Sequence, residues 1–377
     1  MRHDRPSSPA LVGFVLGLLA TSTAAAEVRS VSLVLESADV AEAGLTSTVL
    51  DPHLTFSAIG SHWRDVPGAR LELSVSADGI RWGRWIAVPP DGEVEPTRED
   101  GEPNPFGGET LGALVFVDPA SRYLRGRLLR PAGAPGTDEP PRISLHVIDP
   151  GSADSRSAAR GATLPRRAAA PPPEIPDAVP GAARPRIFGR AEWGARPPRT
   201  AYTTTLAGHV GIHHTATVED FAANAWEECA ARVRAIQTYH IDTQGWNDIG
   251  YAYVVCRHGD VFQAREDDDD STDVQGAHDG FNRGSTGISA FGYFHPPVNH
   301  QPSQAQLAAL VHLTSWIASR RGIDPLGKSL YAAFGAPVDN VYGHRDVGAT
   351  ACPGDGLYAL MEAIRNAVGD QVLRQLY

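Results

Sequence analysis

Lysine is all but missing from this chain: Lys328 is the only one, and arginine carries the rest of the positive charge. Together with the richness in Ala, Gly and Pro, that bias reflects genome composition and decides nothing about mechanism. A basic surface is missing too, since the formal net charge is -11 over 377 residues. Nucleic acid and anionic membrane surfaces are thereby excluded as partners, because both need a positive footprint. No apolar run reaches the roughly 20 residues that span a bilayer. The nearest is Ala10 to Ala20, behind a positive start at Arg2, His3 and Arg5 and ahead of the small residues Ala24-Ala25-Ala26. That order is the pattern of an export signal, with cleavage expected before Glu27 and no stable membrane insertion afterwards. No Cys follows the cleavage site, so a lipid anchor is not indicated there. The expectation is a secreted or periplasmic protein in an oxidising compartment, and a monomer.

Cysteine is scarce, and its count of three is odd. In an exported chain the one left over needs a role. Cys229 and Cys256 either pair or serve as small buried residues, and spacing does not decide between the two. Cys352 closes the stretch Gly343-His344-Arg345-Asp346-Val347-Gly348-Ala349-Thr350-Ala351-Cys352-Pro353-Gly354, and His213-His214-Thr215 lies far upstream. One sulfur and two imidazoles are a ligand set for catalytic zinc, since three protein ligands leave a fourth position for the water a hydrolase needs. His344 and Cys352 bracket a loop long enough to fold both donors onto one ion. Strand alternation allows only one of His213 and His214 to aim at it.

The length predicts two folded units. From residue 27 to 150, short period-two segments such as Leu71-Glu72-Leu73-Ser74-Val75 and Ile143-Ser144-Leu145-His146-Val147 alternate with turn residues. This reads as an all-β sandwich-like domain. Trp82 and Trp85 beside the Asp78-Gly79 turn are read as core residues, with stacking on sugar faces as the alternative. Residues 151–184 are rich in Ala, Pro and Arg without apolar periodicity, which reads as a proline-stiffened tether that lets one unit hold a surface while the other reaches over it.

Residues 185–377 mix strands and helices, giving an α/β domain with a mixed central sheet flanked by helices. His209 to His213 predicts a buried strand, Trp226 to about Thr243 a helix, Tyr251 to Glu266 a hairpin turning near His258-Gly259-Asp260, and Ile288 to Phe294 a further strand. A long helix starts at the N-cap Ser303 and stops at Gly322, and a last helix runs from about Leu357 to Val368.

Five segments in this second unit resemble the peptidoglycan recognition proteins and the zinc-dependent, phage-lysozyme-like type 2 N-acetylmuramoyl-L-alanine amidases. They are Ala191-Glu192-Trp193-Gly194-Ala195-Arg196, Gly211-Ile212-His213-His214-Thr215-Ala216, Gly245-Trp246-Asn247-Asp248-Ile249-Gly250-Tyr251, Gly276-Ala277-His278 with Gly287-Ile288, and the segment from Gly343-His344 to Cys352-Pro353-Gly354. The resemblance covers roughly Ile187 to Ile364. It implies Zn2+ held by His213, His344 and Cys352, with His214 packed beneath the site. Tyr251 matches the family's catalytic tyrosine, and Thr350 a position where a hydroxyl or an amine donates to the tetrahedral intermediate. Trp246, His278 and Asn282 lie on segments that line the substrate groove in relatives. The activity implied is hydrolysis of the amide bond between N-acetylmuramic acid and the L-alanine of peptidoglycan. The alternative is a non-catalytic peptidoglycan-binding recognition protein or wall adhesin, although such members commonly replace the cysteine ligand.

Three acidic features remain ambiguous. Asp346 either orients the His344 imidazole or caps the loop, and Asp248 is read as a structural turn. Asp267-Asp268-Asp269-Asp270 departs from the family's usual loop and reads as a solvated run, with calcium as the lesser alternative.

Overall fold

The computed structural model describes residues 26–33, 35–37, 44–47, 49–64, 68–93, 106–131, 141–151, 183–219, 226–265, 272–277 and 280–373. The segment read as an export signal, up to residue 25, most of the segment read as a tether, the four-aspartate run and His278 lie outside these residues.

The alternating segments before residue 150 form β1 (Glu27–Leu33), β2 (Leu35–Ser37), β3 (Gly44–Ser47), β4 (Phe56–Arg64), β5 (Arg70–Ser76), β6 (Ile86–Val88), β7 (Pro90–Glu93), β8 (Thr110–Ser121), β9 (Tyr123–Leu129) and β10 (Arg142–Asp149). One sheet runs β1-β10-β4-β8 with β7 also on β8, and the other runs β2-β3-β9-β5-β6. Every second side chain turns inward, so Leu71, Leu73 and Val75 of one sheet meet Ile143, Leu145 and Val147 of the other in a single buried cluster. Trp82 and Trp85 stand outside that core. Both are half-buried, with the Arg125 guanidinium 4.3 Å and 4.9 Å from their ring centres. Aromatic faces carry partial negative charge, so the arginine holds the rings at the surface.

The second unit contains β11 (Ile187–Phe188), β12 (Thr204–Thr205), β13 (His209–His214), β14 (Thr217–Glu219), β15 (Tyr253–Val255), β16 (Val261–Gln263), β17 (Asp273–Val274), β18 (Ser285–Ala290), β19 (Lys328–Tyr331), β20 (Ala336–Asp339) and β21 (Val341–Gly343). Its helices are α1 (Arg190–Trp193), α2 (Trp226–Thr238), α3 (Gln304–Arg321), α4 (Asp355–Tyr358) and α5 (Met361–Leu373). The central sheet is mixed and ordered β11-β16-β15-β18-β13-β21. On one face Val210, Ile212 and Ile288 pack against Leu307, Leu310, Val311 and Ile317 of α3 and Ile364 and Val368 of α5. Ser303 caps α3 by accepting the Gln306 N–H at 3.0 Å, and Gly322 ends it at φ 65°. The fold is thus α/β behind a β-rich amino-terminal part.

Two features depart from what periodicity suggests, and a pairing that spacing left open is present. Helix α2 loosens after Thr238 into a π-helical turn, Tyr239–Thr243, whose Tyr239, His240 and Ile241 are all buried. The strand expected over Ile288 to Phe294 is β18, which ends at Ala290. Cys229 of α2 is bonded to Cys256 just beyond β15, clamping helix to sheet.

Direct packing joins the two units. Strand β14 lies parallel to β8, pairing Thr217 with Leu114 and Val218 with Val115, and so extends the amino-terminal sheet. Ala58, Leu114, Phe116 and Ile148 from that part share a buried cluster with Val233, Ile236, Tyr239 and Phe291. Gly60 of β4 makes this approach possible, because a Cβ there would stand 2.2 Å from Cε2 of Tyr239. Among the described residues no helix is long and apolar enough to cross a membrane.

Candidate metal centre

Strands β13 and β21 are parallel neighbours, with Gly211 beside Tyr342 and Ile212 beside Gly343. Continuing that register by one residue places His213 beside His344, which opens the 3-10 turn His344–Asp346. The two imidazole rings are 4.7 Å apart at an angle of 55°. The loop after His344 returns Cys352 to the same point, its Sγ 3.7 Å from Nδ1 of His213. One ligand atom from each of His213, His344 and Cys352 falls within 4.8 Å of the others. Carboxyl ends of parallel strands are where α/β sheets leave room for ligands.

The surrounding residues hold this group rigidly. Asp346 accepts hydrogen bonds from the Gly343 N–H at 2.8 Å and the Tyr358 hydroxyl at 2.5 Å, so of its two readings it takes the cap of the His344 turn. Arg345 binds Asp355 at 2.8 Å and the Ala351 carbonyl, tying the two ends of the cysteine loop. Thr350 Oγ1 accepts the Cys352 N–H at 3.1 Å. Gly354, at φ 86°, lets the chain pass where a Cβ would lie 2.6 Å from the Phe294 carbonyl carbon.

Burial governs the ionisation of the groups around the cluster. Burial pushes the Cys352 thiol well up, Asp91 adds to that rise, and the His214 N–H, 3.4 Å from the sulfur, opposes it. His214 is turned away from His213 towards Tyr293 and Phe294, whose rings are 5.7 Å and 6.2 Å distant. Burial, with the nearby positive groups adding to it, lowers the His214 pKa to about 3, so it stays neutral. Tyr251 lies with its ring 5.9 Å from His213 and its hydroxyl 3.4 Å from the His214 carbonyl. Desolvation raises its pKa, so the phenol remains a proton donor.

Other residues singled out in the sequence have partners of their own. Trp246 is half-buried and packs on His240 at 4.4 Å. Asn282 sits in the turn before β18, its carbonyl 3.4 Å from the Ser285 N–H. Asp248 is fully buried and gathers Arg190, Tyr202 and Gln237, at 2.7 Å, 2.5 Å and 2.6 Å. It is a structural hub. Sequence reasoning passed over Asp91 and Tyr293. Both line, with His214, His295 and Cys352, a cleft of about 240 Å³ beside the cluster. No local signal marks Asp91, which arrives from the other unit.

Comparison with known proteins matches residues 206–355 to the family described as N-acetylmuramoyl-L-alanine amidase. Peptidoglycan-recognition protein SC2 of Drosophila melanogaster is 33% identical over 176 residues, which are 46% of this chain and 82% of that protein. The chain belongs to the peptidoglycan-recognition protein and N-acetylmuramoyl-L-alanine amidase family. A second relative in that family is the N-acetylmuramoyl-L-alanine amidase of Homo sapiens, 33% identical over 180 residues, 47% of this chain but 28% of that protein. Among solved structures, Drosophila peptidoglycan recognition protein SD is 29% identical over 47% of this chain and 93% of that one, with a TM-score of 0.38. The family contains proteins named for recognition and proteins named for cleavage, so membership leaves the reaction to be argued from the site.

Proposed function

We propose that this protein is an exported zinc-dependent amidase that hydrolyses the bond between N-acetylmuramic acid and the L-alanine of peptidoglycan. The observation that carries the reading is the convergence of His213, His344 and Cys352 within 4.8 Å. Zinc takes nitrogen at about 2.0–2.1 Å and sulfur at about 2.3 Å, so tetrahedral donors stand roughly 3.3–3.6 Å apart. The 3.7 Å between Cys352 Sγ and His213 Nδ1 fits that spacing. Two imidazoles and a thiol are also the donor set a borderline metal prefers over calcium or magnesium. Bound there, zinc would supply a Lewis acid and a water made acidic enough to attack at neutral pH.

The chain's own residues do the rest. Tyr251, kept protonated, donates its hydroxyl to the oxygen of the cleaved carbonyl as negative charge gathers there. Thr350 fixes the backbone at Cys352 and offers its hydroxyl to the same intermediate. Trp246, His278 and Asn282 are assigned to the sugar and stem-peptide groove. The division into signal (1–26), β-sandwich-like domain (27–150), linker (151–184) and amidase domain (185–377) belongs to the same proposal, as does peptidoglycan as partner. Relatives support it: the N-acetylmuramoyl-L-alanine amidases of Homo sapiens and Sus scrofa are 33% and 35% identical to this chain over 47% of its length. Purified muropeptides incubated with the protein, with and without a chelator, test bond position and metal dependence together by mass analysis. Release of L-alanine-terminated peptide only in the absence of chelator is the expected result. Binding without cleavage in the zinc-loaded protein would establish the recognition reading instead.

A further inference from the structure

The amino-terminal sheet places one carboxylate in the cleft beside the metal cluster. Strand β7 pairs Pro90 with Gly112 and Gly92 with Leu111, so Asp91 is the extra residue of a β-bulge. Bulges re-aim a side chain, and they concentrate next to active sites. Both flanks are fastened: the Pro89 carbonyl accepts the Ala113 N–H at 2.9 Å, and the Pro90 carbonyl accepts the Tyr293 hydroxyl at 2.8 Å. Tyr293 comes from the metal-binding unit, so this bond registers the bulge against the cluster. Asp91 is exposed to the cleft that it lines with Cys352 and His214. It lies close enough for its charge to act on both Cys352 and Tyr251. Among the described residues its carboxylate has neither a hydrogen-bond donor nor a cation as partner. A solvent-reached carboxylate that a fastened bulge holds in the cleft can exchange a proton with a molecule that enters there.

We propose that Asp91 is a further catalytic residue, supplied by the β-domain, which accepts the proton of the attacking water. The inference rests on the amidase reading above, which otherwise leaves the site a phenol and a hydroxyl but no carboxylate to take a proton. One O–H bond of water breaks and its proton passes to a carboxylate oxygen of Asp91, while the water oxygen bonds to the amide carbon. The carbonyl electron pair moves to oxygen and returns as the C–N bond breaks. The proton held by Asp91 then goes to the departing nitrogen, leaving a carboxyl group on the muramyl side and an amine on L-alanine.

The full-length protein and its Asp91→Asn and Asp91→Ala variants are compared in three measurements: zinc content after dialysis, steady-state kcat and KM on a muramyl peptide, and calorimetric binding of that peptide to chelator-stripped protein. Expected is a fall in kcat of about 100-fold or more, with KM, zinc content and binding by the stripped protein within about twofold of wild type. Turnover that is equal or higher in Asp91→Asn overturns the proposal, as does loss of zinc, which would make Asp91 a ligand. A zinc-loaded wild type that cleaves nothing overturns the amidase reading and this one with it. Wild-type cleavage with an equally active variant removes Asp91 alone.

Discussion

Cys352 and His213 are separated by 139 positions in the chain, yet the sulfur of one lies 3.7 Å from Nδ1 of the other. On the proposed reading these two atoms share one ion, while burial otherwise keeps the thiol protonated. Cys352→Ser should therefore hold well under one equivalent of zinc, measured by metal analysis after dialysis, and lose muropeptide hydrolysis. A serine variant that keeps both zinc and turnover would remove the sulfur from the site.

Tyr251→Phe separates binding from chemistry. The ring still packs against His213, but the hydroxyl donor is gone. Zinc content and KM should stay near wild type while kcat drops by about 100-fold or more, the cost of removing one oxyanion donor. An equal loss in peptide affinity would make the phenol a substrate anchor.

Acid should loosen the contact between the two units. His62 and His146 are buried, 5.0 Å apart, and desolvation lowers their pKa values to about 3 and about 4 from 6.5. Below 6.5 the unfolded chain binds protons that the folded one refuses, so their contribution is complete above 6.5 and shrinks as pH falls towards the folded values. Urea unfolding at pH 7.5 and pH 4.5 should differ by on the order of 4 kcal/mol from this pair. The double variant His62→Gln/His146→Gln should lose that part of the slope, and an unchanged slope would clear the histidines.

Gly60→Ala probes the same seam from the backbone. The new methyl would meet the Tyr239 ring at 2.2 Å, and that ring is fully enclosed on the π-helical turn. Overpacking of this kind costs about 1–3 kcal/mol, seen as a lower denaturation midpoint. A midpoint equal to wild type would mean that the ring can move aside.

The three residues of the cluster were legible because each sits on an element whose pattern is strong: a buried strand for His213 and a loop bounded by Gly343 and Gly354 for His344 and Cys352. The capped helix α3 was readable from Ser303 to Gly322 for the same reason. The sandwich was visible in its alternation, but Trp82 and Trp85 were misassigned to its core, since hydrophobicity alone does not register the arginines stacked on them. Nor does any pattern in Thr217-Val218-Glu219 announce a strand, let alone one that pairs with residues a hundred positions earlier. Its stability comes from the partner sheet. Asp91 escaped for a related reason: its meaning lies in a bulge and in a tyrosine from the other unit.

The parallel pairing of β14 with Leu114, Val115 and Phe116 has a consequence for anyone who divides this protein. Residues 27–150 produced alone would carry a bare stretch of backbone donors and acceptors along that side of β8, flanked by apolar side chains that the intact molecule shields. Unsheltered rims of this kind recruit one another. A fragment cut there is expected to sediment as multimers, and to stick to insoluble material whether or not the intact protein does.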